Sequence, residues 1–272
     1  MSLTLNTNNF SINAQRSVAI TQSSLGLSMA RLSSGLRVNS AKDDAAGLAV
    51  ASNMMTQAKG MDVAIRNAND GISLLQVADG AQASMGDILQ RMRELVVQAK
   101  SGTYTSTDIE KLDVEYQQLV TELGDIQGRA RFNGVDILSA TGAGDFELQV
   151  GANASDTLTI STVNIALTSF AGDLTALDAT TFGTELNDID AVLNEVNTAR
   201  ANNGAFMSRL DNVIVNLRNG YEAQMASYGR IMDADFARET ANLSRAQVLQ
   251  QAGVAMVAQA NALPQNVLAL LR

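Results

Sequence analysis

The residues best suited to chemistry in this sequence are carboxylates. Asp43 and Asp44 are adjacent, and Glu110 and Asp113 lie three apart. Paired carboxylates can exchange protons with a substrate or help hold a cation. They have no helpers here, because the 272 residues include no Cys, His or Trp. Without His there is no imidazole base, no Ser-His or Cys-His dyad, and little prospect of a zinc site. Without Cys there are neither disulfides nor thiolate ligands. No Gly-rich phosphate loop accompanies either pair, so negative charge at a helix N-terminus is the stronger reading of both. No catalytic, cofactor-binding or metal-ligating residue is assigned, and the chain is expected not to be an enzyme. A net charge of −9 and a pI near 4.5 argue against nucleic-acid binding. Aromatic residues at 4% are too sparse for a base-stacking platform. Composition points to a structural or interaction protein.

The charges are unevenly placed. All acidic residues lie between Asp43 and Glu239, leaving neutral to weakly basic ends. From Phe132 to Ala199 there is no Lys or Arg, and this acidic stretch, rich in Gly, Ser and Thr, reads as solvent-exposed. Near the N-terminus the longest apolar run is Val18-Ala19-Ile20, so no cleavable leader of the usual secretory kind is expected. No run reaches the about 20 apolar residues of a membrane span. Ser, Thr and Asn make up 17 of the first 40 residues, a composition too poor in bulk to fold alone.

The only Pro is Pro264, so long helices are permitted. Val18, Leu25 and Leu32 recur every seven residues, with Met29 and Leu36 four after the last two. A stripe runs Met61, Ile65, Ala68, Ile72, Leu75, then changes phase and resumes from Leu74 through Met85 and Leu95 to Ala99. After a break at Ser101-Gly102, Ser106-Thr107-Asp108 can cap a helix carrying Ile109, Leu112, Tyr116, Leu119, Leu123 and Ile126. A further stripe extends from Phe206 to Met232. The last alternates steps of three and four through Ala246, Leu249, Gly253, Met256, Ala260, Leu263, Val267 and Leu270, the pattern of a coiled-coil seam. Pro264 should remove one hydrogen bond there and bend the helix slightly. Between the helical halves the period changes to two: Phe146, Leu148, Val150, a turn at Gly151-Ala152-Asn153, then Leu158, Ile160 and Val163, a β-hairpin signature. Residues 164–184 have weak periodicity and read as a surface connection.

The expected fold is mainly α. Long helices from both termini form an antiparallel coiled coil and a helical-bundle rod, with a small β-hairpin region at the tip. One apolar stripe offsets only part of the backbone entropy lost by so long a helix. The two ends therefore need each other, and further copies of the chain, to become ordered.

Several segments resemble bacterial flagellin, the flagellar filament subunit. They are Leu32-Ser33-Ser34-Gly35-Leu36-Arg37-Val38-Asn39-Ser40-Ala41-Lys42-Asp43-Asp44-Ala45-Ala46-Gly47, Asn67-Ala68-Asn69-Asp70-Gly71-Ile72-Ser73-Leu74-Leu75-Gln76, Ser244–Gly253 and Pro264–Arg272. Phe132-Asn133-Gly134-Val135 and Leu148–Asn153 fit as well. The likeness covers about residues 1–160 and 185–272. It implies inner-core terminal helices at 1–42 plus 235–272, an outer-core helical rod at 43–140 plus 185–234, and a vestigial outer domain at 141–184. It also implies a secreted subunit that self-assembles into a helical homopolymer outside the cell for swimming. Expected partners are a flagellar export chaperone at the C-terminal region, the filament cap and the hook-filament junction proteins, with no cofactor, nucleic acid or membrane. An inserted zinc-peptidase domain is excluded by the absence of His. The alternative is a hook-filament junction protein of the same superfamily; from another class, a membrane-active amphipathic translocator is disfavoured by the few cations on the C-terminal helix.

By the same resemblance, Leu89–Gln98 is similar to the surface read by the host flagellin-sensing Toll-like receptor, with Arg91, Leu95 and Glu115 at the recognised positions. The bland reading stands beside it: Leu95 belongs to a core stripe, and Arg91 with Glu94 is an i, i+3 ion pair. The self-assembly seam is expected to comprise Val18, Leu25, Leu32, Leu249, Met256, Leu263, Val267 and Leu270. Asn9, Asn153 and Asn242 begin N-glycosylation patterns, and the Ser and Thr of 155–184 would suit O-glycosylation or a plain polar loop.

Overall fold

The structure, a computed structural model, describes residues 7–138, 144–162, 165, 167, 170, 174–176 and 179–270, with side chains from 263 onward and those of 176, 179 and 180 outside the description. Five long helices dominate: α1 (Asn9–Ser34), α2 (Ala45–Ala99), α3 (Ser106–Arg129), α4 (Ala179–Met232) and α5 (Phe236–Leu270). Two small antiparallel hairpins pair β1 (Arg131–Phe132) with β2 (Val135–Asp136), and β3 (Asp145–Gln149) with β4 (Thr157–Ser161). The mainly helical fold class expected from the spacing is the observed one. The chain divides into two compact units, one of Met1–Gln57 with Ala223–Arg272 and one of Ala58–Glu222.

The larger unit explains the phase change in the α2 stripe. Ala68 and Leu75 are buried with Leu158, Ile160, Leu210 and Ile214, against the β3–β4 hairpin and α4. Leu74, one residue before Leu75, and Ala78 enter a second cluster with Met85, Leu89, Met92, Leu95 and Val96, which packs on Tyr116 and Leu123 of α3 and Ile189, Val192 and Val196 of α4. One uninterrupted helix serves two neighbours, and its apolar face rotates as they change.

The hairpin is seated by close approach. A Cβ on Gly71 would run into the Leu148 Cδ1 methyl, so Gly at this position lets Leu148 pack directly on α2. Asn67 Nδ2 donates to the Gln149 carbonyl at 3.0 Å, fixing the hairpin along the helix. Leu158 and Ile160 point inward while Thr157, Thr159 and Ser161 face solvent, the alternation of a one-sided strand. Val163 lies outside the described residues.

Two features were not anticipated. Asn133 and Gly134 both have positive φ (50° and 81°) and close the β1–β2 hairpin; an Asn-Gly pair is the residue choice such a turn demands. The reading of 164–184 as a surface connection is corrected: Ile165 and Leu174 are buried in the α2–α3–α4 core. Leu174 opens a 3-10 turn (Leu174–Ala176), and α4 begins at Ala179.

In the smaller unit α1 and α5 pair antiparallel, as the N-cap Asn8 and residues 18 and 28 of α1 meet 260, 253 and 239 of α5. Gly35, with φ 72°, ends α1, and its carbonyl accepts from Ala234 N at 2.9 Å. Leu36 bridges to Asp233, and Val38, Ala51 and Met232 are buried together. That shared cluster ties the start of α2 and the end of α4 to the helix pair within the smaller unit.

Candidate functional site

Three of the four paired carboxylates, Asp43, Asp44 and Asp113, accept backbone N–H groups. Asp44 Oδ1 accepts from Gly47 N at 2.8 Å, capping the first turn of α2. Asp43 Oδ2 accepts from Ser40 Oγ (3.0 Å), Ser40 N (2.9 Å) and Asn39 N (3.1 Å), which hold its carboxyl below the ordinary carboxylate range. Asp113 Oδ1 accepts from Leu174 N at 2.7 Å and ties the 3-10 turn to α3, while Glu110 is exposed. The α3 cap is Thr105, one residue earlier than expected; Asp108 Oδ2 accepts from Thr105 Oγ1 at 2.7 Å. Among the described residues no group of acidic side chains could hold a metal ion, and no helix is long and apolar enough to cross a membrane.

Arg91, Glu94 and Glu115 do converge. Arg91 Nε donates to Glu115 Oε1 at 2.8 Å across α2 and α3, and Arg91 Nη1 donates to Glu94 Oε2 at 3.0 Å along α2. Glu115 first, then Glu94, raise the Arg91 guanidinium further above its usual value. All three are solvent-facing. Leu95 is different: it is fully buried in the α2–α3–α4 core. The grouping of Leu95 with Arg91 and Glu115 as a contact surface is therefore corrected, since a side chain with no exposed area holds the helix that presents its neighbours. The core has polar members that periodicity could not reveal. Tyr116 Oη donates to Glu185, and burial followed by that carboxylate pushes its phenol well up. Asn203 Nδ2 donates to Gln82 Oε1 at 2.9 Å, both buried.

The α1–α5 seam has small teeth. On α1, Ser11, Ala14, Val18, Thr21, Leu25, Ser28 and Leu32 are at least half-buried; on α5 the matching positions are Glu239, Leu243, Ala246, Gln250, Gly253, Val257 and Ala260. Each set steps by three and four. Gly253 is needed because a Cβ there would lie 2.7 Å from Val18 Cγ2. Ser28 Oγ donates to Glu239 Oε1 at 3.2 Å, and Asn8 Nδ2 donates to the Ala260 carbonyl at 2.7 Å.

Val18, Leu25 and Leu32 thus face α5. Leu249 and Met256 do not face α1, being 52% and 63% exposed, and the expectation that they sit in the intrachain seam is corrected. The column Ala246, Gly253, Ala260 was placed correctly; its companion is Leu243, Gln250, Val257. Leu263, Val267 and Leu270 have side chains outside the description, although α5 continues past Pro264. The exposed apolar set extends to Ile20, Leu27 and Met29 on α1 and Val248 and Val254 on α5. The sequence signal for it was apolar residues in excess of one stripe.

The helical ends and the central β element match known proteins in the same order. Residues 5–143 match the model of the bacterial flagellin N-terminal helical region, and residues 186–271 match that of the C-terminal helical region. A flagellin of Halalkalibacterium halodurans is 41% identical over 271 residues, covering 98% of this chain and 99% of that protein. A flagellin of Bacillus subtilis is 36% identical, with the same coverage of each. A flagellar filament 33 kDa core protein of Treponema phagedenis is 34% identical and covers 98% of this chain and 99% of its own. The crystal structure of Bacillus cereus flagellin superposes with a TM-score of 0.51 at 35% identity, covering 56% of this chain and 88% of that one. The chain belongs to the bacterial flagellin family, the structural, non-enzymatic subunits that polymerise into the flagellar filament.

Proposed function

We propose that the subunit is secreted by the flagellar export apparatus and adds to a helical homopolymer through the faces of α1 and α5 that the lone chain leaves exposed. The observation that carries this is the second apolar stripe. Val248, Leu249, Val254 and Met256 are each more than half exposed in the isolated chain. Apolar side chains in that number mark a contact surface rather than scattered surface hydrophobes. On this reading residues 1–42 and 235–272 supply the inner wall of the filament, residues 43–140 and 185–234 its surrounding layer, and 141–184 a minimal outer part. An export chaperone covers the C-terminal region before assembly, and the cap and hook-filament junction proteins bound the polymer. Relatives named flagellin or filament core protein favour this over the junction-protein alternative. Purified chain added to short filament seeds should elongate them, whereas a variant ending at Glu239 should stay monomeric. Normal growth from the truncated chain would overturn the assembly model.

We also propose host recognition by the flagellin-sensing Toll-like receptor at the Arg91–Glu115 pair, with Leu95 as a positioning residue beneath it. The exposed ion pair, reachable from one side of α2 and α3, supports this. In a receptor-reporter assay, Arg91→Ala and Glu115→Ala should reduce signalling without changing the thermal midpoint. Leu95→Ala should lower the midpoint. Full signalling from both surface variants would refute the proposal.

A further inference from the structure

Charge is partitioned between the two units. The smaller carries eight Lys and Arg against five Asp and Glu, the larger eleven against twenty-three, so one sequence combines a unit of net +3 with a unit of net −12. In the smaller unit Arg31, Arg37 and Arg238 converge on a pocket of about 320 Å³ where α5 begins, lined also by Asp235, Glu239 and Asn242.

The carboxylates of that pocket are already engaged. Asp235 Oδ1 accepts from Ala237 N (3.0 Å) and Arg238 N (3.2 Å). Glu239 Oε1 accepts from Ser28 Oγ and pairs with Arg31 Nη1 at 3.6 Å, and its Oε2 accepts from Asn242 Nδ2 at 3.2 Å. The guanidinia are less satisfied. Arg37 donates to the Ile231 carbonyl and pairs with Asp44 Oδ2 at 4.0 Å, the outer limit of an ion pair, whereas Arg31 Nε is buried with no acceptor. The Arg238 side chain has no partner at all among the described residues, and as the third residue of α5 it opposes the positive end of the helix dipole. A buried donor without an acceptor and a cation against a dipole are both costs that one anion would relieve.

We propose that this pocket binds a side-chain carboxylate from the larger unit of a second copy of the chain. The larger unit has the matching groups: Asp70, Asp87, Glu110, Glu147, Asp211 and Glu222 are exposed and have no hydrogen-bond or ion-pair partner among the described residues. A contact between unlike surfaces of identical subunits does not close into a dimer and continues as an open helical array. The inference rests on the filament reading and adds to it a polar contact separate from the apolar stripes of α1 and α5.

The test is seeded elongation with charge reversal and swap. Arg238→Glu removes no intrachain contact and agrees with the α5 dipole, so the monomer should keep its circular dichroism and thermal midpoint. Its critical concentration for elongation should rise about tenfold or more, the effect of reversing one charge pair at an interface. Arg238→Gln should give a smaller rise. Reversal to Lys at one of the six acids, placed in the Arg238→Glu background, should restore elongation and identify the partner. Parental elongation by Arg238→Glu would overturn the pocket while leaving the filament reading intact. Loss of elongation that none of the six reversals restores would overturn the assignment to a carboxylate of another copy. A parent chain that fails to elongate seeds would sink the filament reading and this inference with it.

Discussion

Replacing Leu249 and Met256 together by Ser separates contacts within the chain from contacts between chains. In the isolated subunit both side chains face water at 52% and 63% exposure. The double variant should therefore change monomer stability little, as surface substitutions do. In a polymer the same side chains would be covered. Full burial of a Leu or Met contributes about 1.5–3 kcal/mol, and somewhat over half of each remains to be buried, leaving about 1–2 kcal/mol per residue. The pair then contributes about 2–4 kcal/mol per added subunit, or about a 30- to 700-fold rise in critical concentration. The assay is sedimentation of seeded reactions across subunit concentrations, with thermal unfolding of each monomer alongside. A critical concentration within threefold of the parent (under about 1 kcal/mol) would refute the reasoning, as would a large fall in the monomer's midpoint with assembly unaffected. The second result would return these side chains to the intrachain seam.

Other substitutions test other parts of the molecule. Leu95→Ala leaves a hole in the α2–α3–α4 core and should cost about 2–5 kcal/mol in urea unfolding of the monomer. Gly253→Val should force α1 from α5, since even a Cβ would meet Val18 at 2.7 Å; the expected outcome is loss of elongation with the hairpin core unchanged by NMR. Asp43 has a folded-state pKa lowered from 3.8 by Ser40 and Asn39. Its stabilisation is present above that value and is lost as pH falls through the lower folded value. Carboxyl-resolved NMR should show Asp43 titrating below an unfolded-chain Asp, and Asp43→Asn should loosen residues 39–44. An ordinary titration would contradict the hydrogen-bond geometry.

Much of this was legible in the sequence because helices and strands write their burial as period. The phase change between Ile72 and Leu74 is readable once α2 is seen to serve two clusters, and the hairpin spelled by Phe146, Leu148, Leu158 and Ile160 folds as its alternation requires. What failed was the choice between equivalent stripes. On α5 the columns of Leu249 with Met256 and of Gln250 with Val257 both step in sevens. Periodicity reports that a face is apolar and says nothing of which chain covers it. The larger residues attracted the assignment, yet the intrachain seam uses Ala246, Gly253 and Ala260, whose small size lets α1 approach. The connection near Ile165 and Leu174 was missed for the opposite reason: isolated anchors held by Asp113 and Gln127 leave no period to detect. The Arg91–Glu115 pair bridges two helices 24 residues apart, and only the resemblance brought those positions together.

Hydrogen exchange measured residue by residue on dilute monomer and on assembled filament bears most directly on the claim that α1 and α5 depend on further copies for their order. Their shared seam mixes Val18, Leu25, Leu32, Leu243 and Val257 with small and polar side chains, while other large apolar residues, Ile20, Met29, Leu249 and Met256 among them, face outward. In the monomer, amides of residues 9–34 and 236–262 should exchange far faster than those of α2 and α4 around Leu95 and Val196, and should become protected on polymerisation. Protection of both terminal helices in the dilute monomer equal to that of the α2–α4 core would contradict the account.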